Sequence, residues 1–207
     1  MLRNISEVCG SKISASDGEV GHVKDFIFDD QTWIIRYLIA DTGSWLVGRL
    51  VLLFPHGIDR FDPAASSLSV NLSKRQIESS PSLEIARRVS RQYEIDYARY
   101  FGIPTYWNRR SVWGEEDANP VLLPPMVPAD ATPTEFVHRD DKHLQSTHDV
   151  IGYQVHTADG CIGKVSGYMI DDQNWAICEV VIGSDQSEAG KELRIPICKI
   201  ERISCRK

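Results

Sequence analysis

The chain has 207 residues, 42% of them hydrophobic and 25% charged, with a formal net charge of −6. That composition can fill a core and keep it in water, which excludes fibrous and wholly disordered classes. The charge is spread along the chain, and no stretch gathers Lys and Arg into the basic patch that tracks phosphates, so a nucleic-acid partner is disfavoured.

From the N-terminus, no apolar run has the length of a leader peptide or a membrane span. The longest, Leu46 to Phe54, is broken by Gly48 and Arg49. Cys9, Cys161, Cys178, Cys198 and Cys205 are an odd number without a Cys-x-x-Cys pair, which suits reduced thiols and an expected cytoplasmic location. Asp17-Gly18 carries the signature of a short hairpin, because glycine accepts the positive φ of a tight turn. Gly21, inside an apolar stretch, reads as a bulge or a barrel corner. Asp29-Asp30-Gln31-Thr32-Trp33 reads as a second turn. The strand expected over Trp33 to Ala40 sets Trp33, Ile35, Tyr37 and Ile39 on one face and Ile34, Arg36, Leu38 and Ala40 on the other. Neither face is consistently polar, so the strand is expected to be covered on both sides.

Residues 81–107 are the helical candidate. Pro81 can open a short helix, and Ser90 can cap a second one whose Tyr93, Tyr97, Tyr100 and Phe101 follow i, i+4, i+7, i+8 spacing. Gly102, with Pro104 beyond it, stops that helix. Tyr106 and Trp107 extend the aromatic series. Residues 108–147 change character: Pro120, Pro124, Pro125, Pro128 and Pro133 lie here among Asp, Glu, Asn and Ala, as in an extended linker.

Beyond the linker the first pattern returns. At a constant shift of 142 residues, Gly10 meets Gly152, Asp17-Gly18 meets Asp159-Gly160, Gly21 meets Gly163, Asp29-Asp30-Gln31 meets Asp171-Asp172-Gln173, and Trp33 meets Trp175. After Ile39 and Val181 the copies are expected to differ in loop length, with Pro55 opposite Pro196 at a shift of 141. The expected domains are a first barrel at 1–80, a helical extension at 81–107, a Pro-rich linker at 108–147 and a second barrel at 148–207. The fold class is mainly β: two small antiparallel β-barrels with a short helical segment and a linker between them.

The Gly, hairpin Asp-Gly, Val/Ile-Gly, Asp-Asp turn, β-branched strand and later Pro of each copy resemble the PRC-barrel family. The resemblance covers roughly residues 5–80 and 145–205. Ser90 through Trp107 is similar to the tail that follows the barrel in stand-alone bacterial members. The family includes the cytoplasmic domain of the photosynthetic reaction-centre H subunit and a domain of a ribosome maturation factor. The resemblance implies a protein partner, and places such modules near membrane or electron-transfer complexes.

Chemistry-bearing residues are sparse. The paired acids Asp29/Asp30 and Asp171/Asp172 could share a cation, but turn chemistry accounts for them. His138, His143, His148, Asp149 and His156 fit neither one helical face nor a zinc-finger spacing. No catalytic residue, cofactor or metal site is expected, and the protein is not expected to be an enzyme. Trp33 and Trp175 are candidates for core packing or for ligand stacking. Together with Tyr37, Tyr93, Tyr97, Tyr100, Phe101, Tyr106 and Trp107 they form the expected interface set. The 93–107 segment either completes one barrel's core or also joins a barrel–barrel or homodimer contact. The leading expectation is a non-enzymatic binding or assembly module, and the alternative is a small-molecule or metal-binding protein with its site in the cleft between barrels.

Overall fold

The computed structural model describes residues 1–43, 45–46, 48–81, 89–103, 105, 143–183 and 193–204. The first half contains β1 (Leu2–Asn4), the single turn α1 (Ile5–Val8), β2 (Lys12–Ala15), β3 (Gly18–Asp29), β4 (Ile34–Asp41) and β5 (Leu50–Leu53). A 3-10 turn at Pro55–Gly57 follows, then β6 (Ile58–Asp62), β7 (Ser67–Val70), α2 (Lys74–Glu78) and α3 (Arg91–Phe101). The second half contains β8 (Leu144–Ser146), α4 (Thr147–Val150), β9 (Gln154–Thr157), β10 (Gly160–Asp171), β11 (Ile177–Gly183) and β12 (Leu193–Pro196). It closes with a 3-10 turn at Ile197–Lys199 and β13 (Arg202–Ser204). The protein is mainly β, and its strands form two sheets.

Local chemistry sets the hairpins. Asp17-Gly18 joins β2 to β3, and the register between them slips beside Gly21, where the bulge was expected. Gly21 has φ +153, and a Cβ there would lie 2.0 Å from the carbonyl oxygen of Asp41, so only glycine fits. In each Asp-Asp turn the first carboxylate closes an Asx turn: Asp29 Oδ1 accepts from the Gln31 amide at 2.9 Å, and Asp171 Oδ1 from the Gln173 amide at 3.1 Å.

Four features depart from the expectations. Trp33 and Trp175 are not strand residues. Both sit at φ +58 in the turns that precede β4 and β11. Further bulges also break the simple alternation: β3 skips Lys24 and β10 skips Ser166, while β4 skips Arg36 (Ile27 opposite Tyr37, then Phe28 opposite Ile35) and β11 skips Cys178 in the same way. The shift of 142 persists to the end of the pattern. Leu38 pairs with Leu53 and Val180 with Ile195, and the 3-10 turns Pro55–Gly57 and Ile197–Lys199 stand 142 residues apart. Pro196 therefore answers Phe54 rather than Pro55, and the connection that was expected to change length does not. Finally, the first sheet is not wholly antiparallel: β7 lies between β6 and β2 and runs parallel to β2. In the second sheet β13 pairs directly and antiparallel with β9.

The exchange of first strands is the feature that unites the halves. The long strand β10 carries β11 along one side and its own β9 on part of the other, while the rest of that side is taken by β1 from the first half, Leu2 opposite Asp171. Reciprocally β3 receives β8, Leu144 opposite Asp29. Buried residues of both halves form one continuous cluster, from Ile5 and Phe26 to Trp175 and Ile182.

Among the described residues, the longest helix, α3, covers the first sheet. By strand alternation, the outer face of β4 and β5 presents Tyr37, Ile39, Leu52 and Phe54, an apolar set on which α3 lies. The same positions in β11 and β12 are Glu179, Val181, Arg194 and Pro196. Glu179 and Arg194 can meet water there, where the first sheet has Tyr37 and Leu52.

Candidate functional site: the seam between the halves

The seam is built around the two tryptophan turns. The Ile35 amide donates to the Trp175 carbonyl at 2.9 Å, and the Ile177 amide to the Trp33 carbonyl at 2.7 Å. Ile34 and Ala176 form an antiparallel bridge between these bonds. A bulky residue at positive φ is a strained choice, held only where its surroundings over-determine it. Here each strained turn aims a carbonyl across the seam. The rings then fill the space: Trp175 lies 6.0 Å from Phe26 of the other half, Trp33 stacks at 5.6 Å on Phe28, and Tyr168 lies 5.8 Å from Phe28. Trp33 and Trp175 thus pack inside the chain.

Polar anchors flank these rings. Asp25 on β3 accepts from four donors: its neighbour's amide at Phe26 (2.7 Å), Ser146 Oγ (2.5 Å), Thr147 Oγ1 (2.6 Å) and the His148 amide (3.2 Å). Three of the four belong to the second half, so one carboxylate fixes β8 and the start of α4. Its counterpart in β10 is Gly167, so this lock exists on one side only. The Asp-Asp turns complete the docking. Asp172 accepts from Arg3 Nε at 2.6 Å, and both Asp171 and Asp172 accept from the Met1 amino group. At the matching place Asp30 meets His143 Nδ1 at 3.3 Å and Gln145 Nε2 at 3.4 Å. The paired acids are turn residues that also hold the exchanged strands. Buried Arg36 pairs with Asp29 at 3.1 Å. Burial alone would raise the Asp29 carboxyl, but Arg36 and the Gln31 and Thr32 amides outweigh it and hold the group below its ordinary value. Burial pushes the Cys9 thiol up to about 11, which makes it a poor nucleophile at neutral pH.

The tyrosine series belongs to α3. Ser90 Oγ accepts from the Tyr93 amide, and Gly102 ends the helix in the left-handed conformation at φ +65. Tyr97 is fully buried: its ring meets Tyr37 at 5.6 Å and Phe101 at 4.7 Å, and its hydroxyl donates to the Leu52 carbonyl at 2.9 Å. Tyr37 donates to the buried Glu94 at 2.8 Å, Tyr93 to the Pro81 carbonyl at 2.8 Å, and Tyr100 to the Gln76 carbonyl at 3.0 Å. These residues bind α3 to the first sheet within the chain. Tyr106 and Trp107 lie outside the described residues, as does His138. His143 serves the seam, His148 is exposed, and His156 meets Ser204 at 3.1 Å. Among the described residues no group of three metal-ligating side chains converges. None of their helices is long and apolar enough to cross a membrane. The residues that sequence reasoning missed are Asp25, Ser146 and Thr147. The signal available was Ser146 three residues before Asp149, an N-cap pattern at the start of the second copy.

Long strands, Asp-Gly hairpins, glycine bulges and 3-10 turns recur in the two halves of this mainly β chain. Residues 2–74 match the family model of the PRC-barrel domain. The second half repeats the order from α1 to β6 in α4 to β13. A search of curated proteins returns no match.

Proposed function

We propose that the protein is a non-enzymatic binding and assembly module of PRC-barrel type, that its second half is a second copy of the same domain, and that its ligand is another protein. The observation that carries this reading is the exposed end of the second sheet. Among the described residues β12 is the terminal strand there, and Leu193 leaves 47% of its surface in water. A terminal strand offers unpaired amides and carbonyls to an incoming extended segment, and a neighbouring apolar side chain gives that segment a foothold. The resemblance to the reaction-centre H domain favours a partner in a membrane-associated or electron-transfer assembly, met from the cytoplasmic side. The rival reading, a small molecule or metal in the cleft between barrels, is less well supported because Trp33, Trp175, Phe26 and Phe28 occupy the seam.

The test is capture from native extract on the immobilised full chain, beside Leu193→Lys, which adds a charge to the edge and leaves the inner strands intact. A protein retained in stoichiometric amount by the parent, and reduced at least tenfold by the variant, is the expected result. Equal retention by both removes the edge from the argument. A ligand or metal that raises the melting temperature in a thermal-shift screen, with no protein captured, would favour the rival.

A further inference from the structure

The geometry points to a second copy of this chain as a partner for the seam: two chains assemble by exchanging halves, the first half of each docking on the second half of the other. Neither half completes its own long strand. Ile27, Phe28 and Asp29 of β3 are paired by Ser146, Gln145 and Leu144, and Met169, Ile170 and Asp171 of β10 by Asn4, Arg3 and Leu2. The two registers superpose at the same shift of 142 residues, so the docking is one interaction used twice about a pseudo-twofold axis. The contacts that hold it, Asp25 with Ser146 and Thr147, Arg3 with Asp172, and the two Trp-turn amide bonds, all run between halves. A half from another molecule satisfies each of them with no new contact and none lost.

The choice between partners therefore rests on the connection, residues 106–142. A covalent connection raises the effective concentration of the cis partner above that of a neighbouring molecule, which keeps the chain closed on itself when dilute. Folding at high protein concentration, or with a shorter connection, hands the docking site to a neighbour. The reciprocal arrangement closes after two chains, so the product is a discrete twofold dimer rather than a filament.

The experiment uses the full chain in two forms, one tagged at the N-terminus and one at the C-terminus, each with a site-specific protease sequence inserted within 110–138. The forms are mixed in denaturant at several hundred micromolar and refolded together. The expected product includes a dimer by light scattering. Cutting its connections should halve its mass, because each seam then holds two halves that are no longer linked to a second pair. The resulting monomer-sized unit should carry the N-terminal tag of one form with the C-terminal tag of the other. The dimer fraction should rise as the connection is shortened in steps. A dimer that keeps its mass after cutting is held by some other surface and overturns the proposal. So does the absence of mixed-tag material at every concentration and connection length. Cutting the natively folded monomer is the control: its halves should remain together, and their separation would show that the seam cannot carry association.

Discussion

Gly21 and Gly163 occupy the same place in the two halves and meet different neighbours. A Cβ on Gly21 would strike the Asp41 carbonyl oxygen at 2.0 Å, whereas one on Gly163 would meet the Ile182 Cγ2 methyl at 2.5 Å. Backbone cannot yield as a side chain can. Both positions also hold a positive φ that alanine resists. Gly21→Ala should lose about 4 kcal/mol or more, in the range reserved for severe core clashes, and Gly163→Ala distinctly less. Urea titrations of the two variants give the comparison. Tyr168 supplies a contrasting case. Its hydroxyl is buried and has no hydrogen-bond partner among the described residues. Removing a buried polar atom that makes no bond relieves a desolvation cost, so Tyr168→Phe should match or exceed the parent in denaturant midpoint. Asp29 ties stability to pH. Its carboxyl is held below the ordinary value when folded, so its contribution is complete above the unfolded value of about 3.9 and fades as pH falls through the lower, folded one. Denaturant midpoints should drop below about pH 4. Asp29→Asn, which leaves Arg36 beside a neutral amide, should be weaker at neutral pH and flatter across that acid range.

At the scale of elements, α3 shows how one face decides what covers it. Tyr37, Leu52 and Phe54 make the outer face of the first sheet apolar, and Tyr97 fills it. Tyr97→Ala should cost about 3–5 kcal/mol, the usual loss for a buried aromatic, and scanning calorimetry would show it. The cap at Ser90, the stop at Gly102 and the aromatic spacing were legible in the sequence because each depends on neighbours within one helical turn. The hairpins were legible for the same reason. The positive φ of Trp33 and Trp175 was not, because nothing in a tryptophan's own chemistry favours it, and the cross-seam bonds that impose it come from the other half. Likewise Leu2–Asn4 and Leu144–Ser146 are too short to show a period of two, and only the long strand of the opposite half makes them strands. Asp25 looked like one acid among many until β8 and the start of α4 brought three donors to it. Asp25→Ala should therefore loosen β8 and α4 first, with faster amide exchange from Leu144 to Val150 than in the rest of the second half.

Across the whole molecule, a shared cluster of buried residues and reciprocal strands leave neither half a boundary at which to melt alone. Thermal unfolding should follow a single transition, with the calorimetric and van't Hoff enthalpies equal. Two resolved transitions would mean that the seam is weaker than either half.

The exchange also sets the mechanical path through the protein. Leu2 and Ser204 lie in strands of the same sheet, β1 beside β10 and β13 beside β9. Tension applied between those two residues is carried by the second sheet at first, while the first sheet hangs outside the line of force. Once β1 peels from β10, the load passes through α1 into β2, and the half that was slack becomes the half under strain. Single-molecule stretching should therefore begin with a small extension as β1 detaches, followed by the larger rupture of the joined sheets.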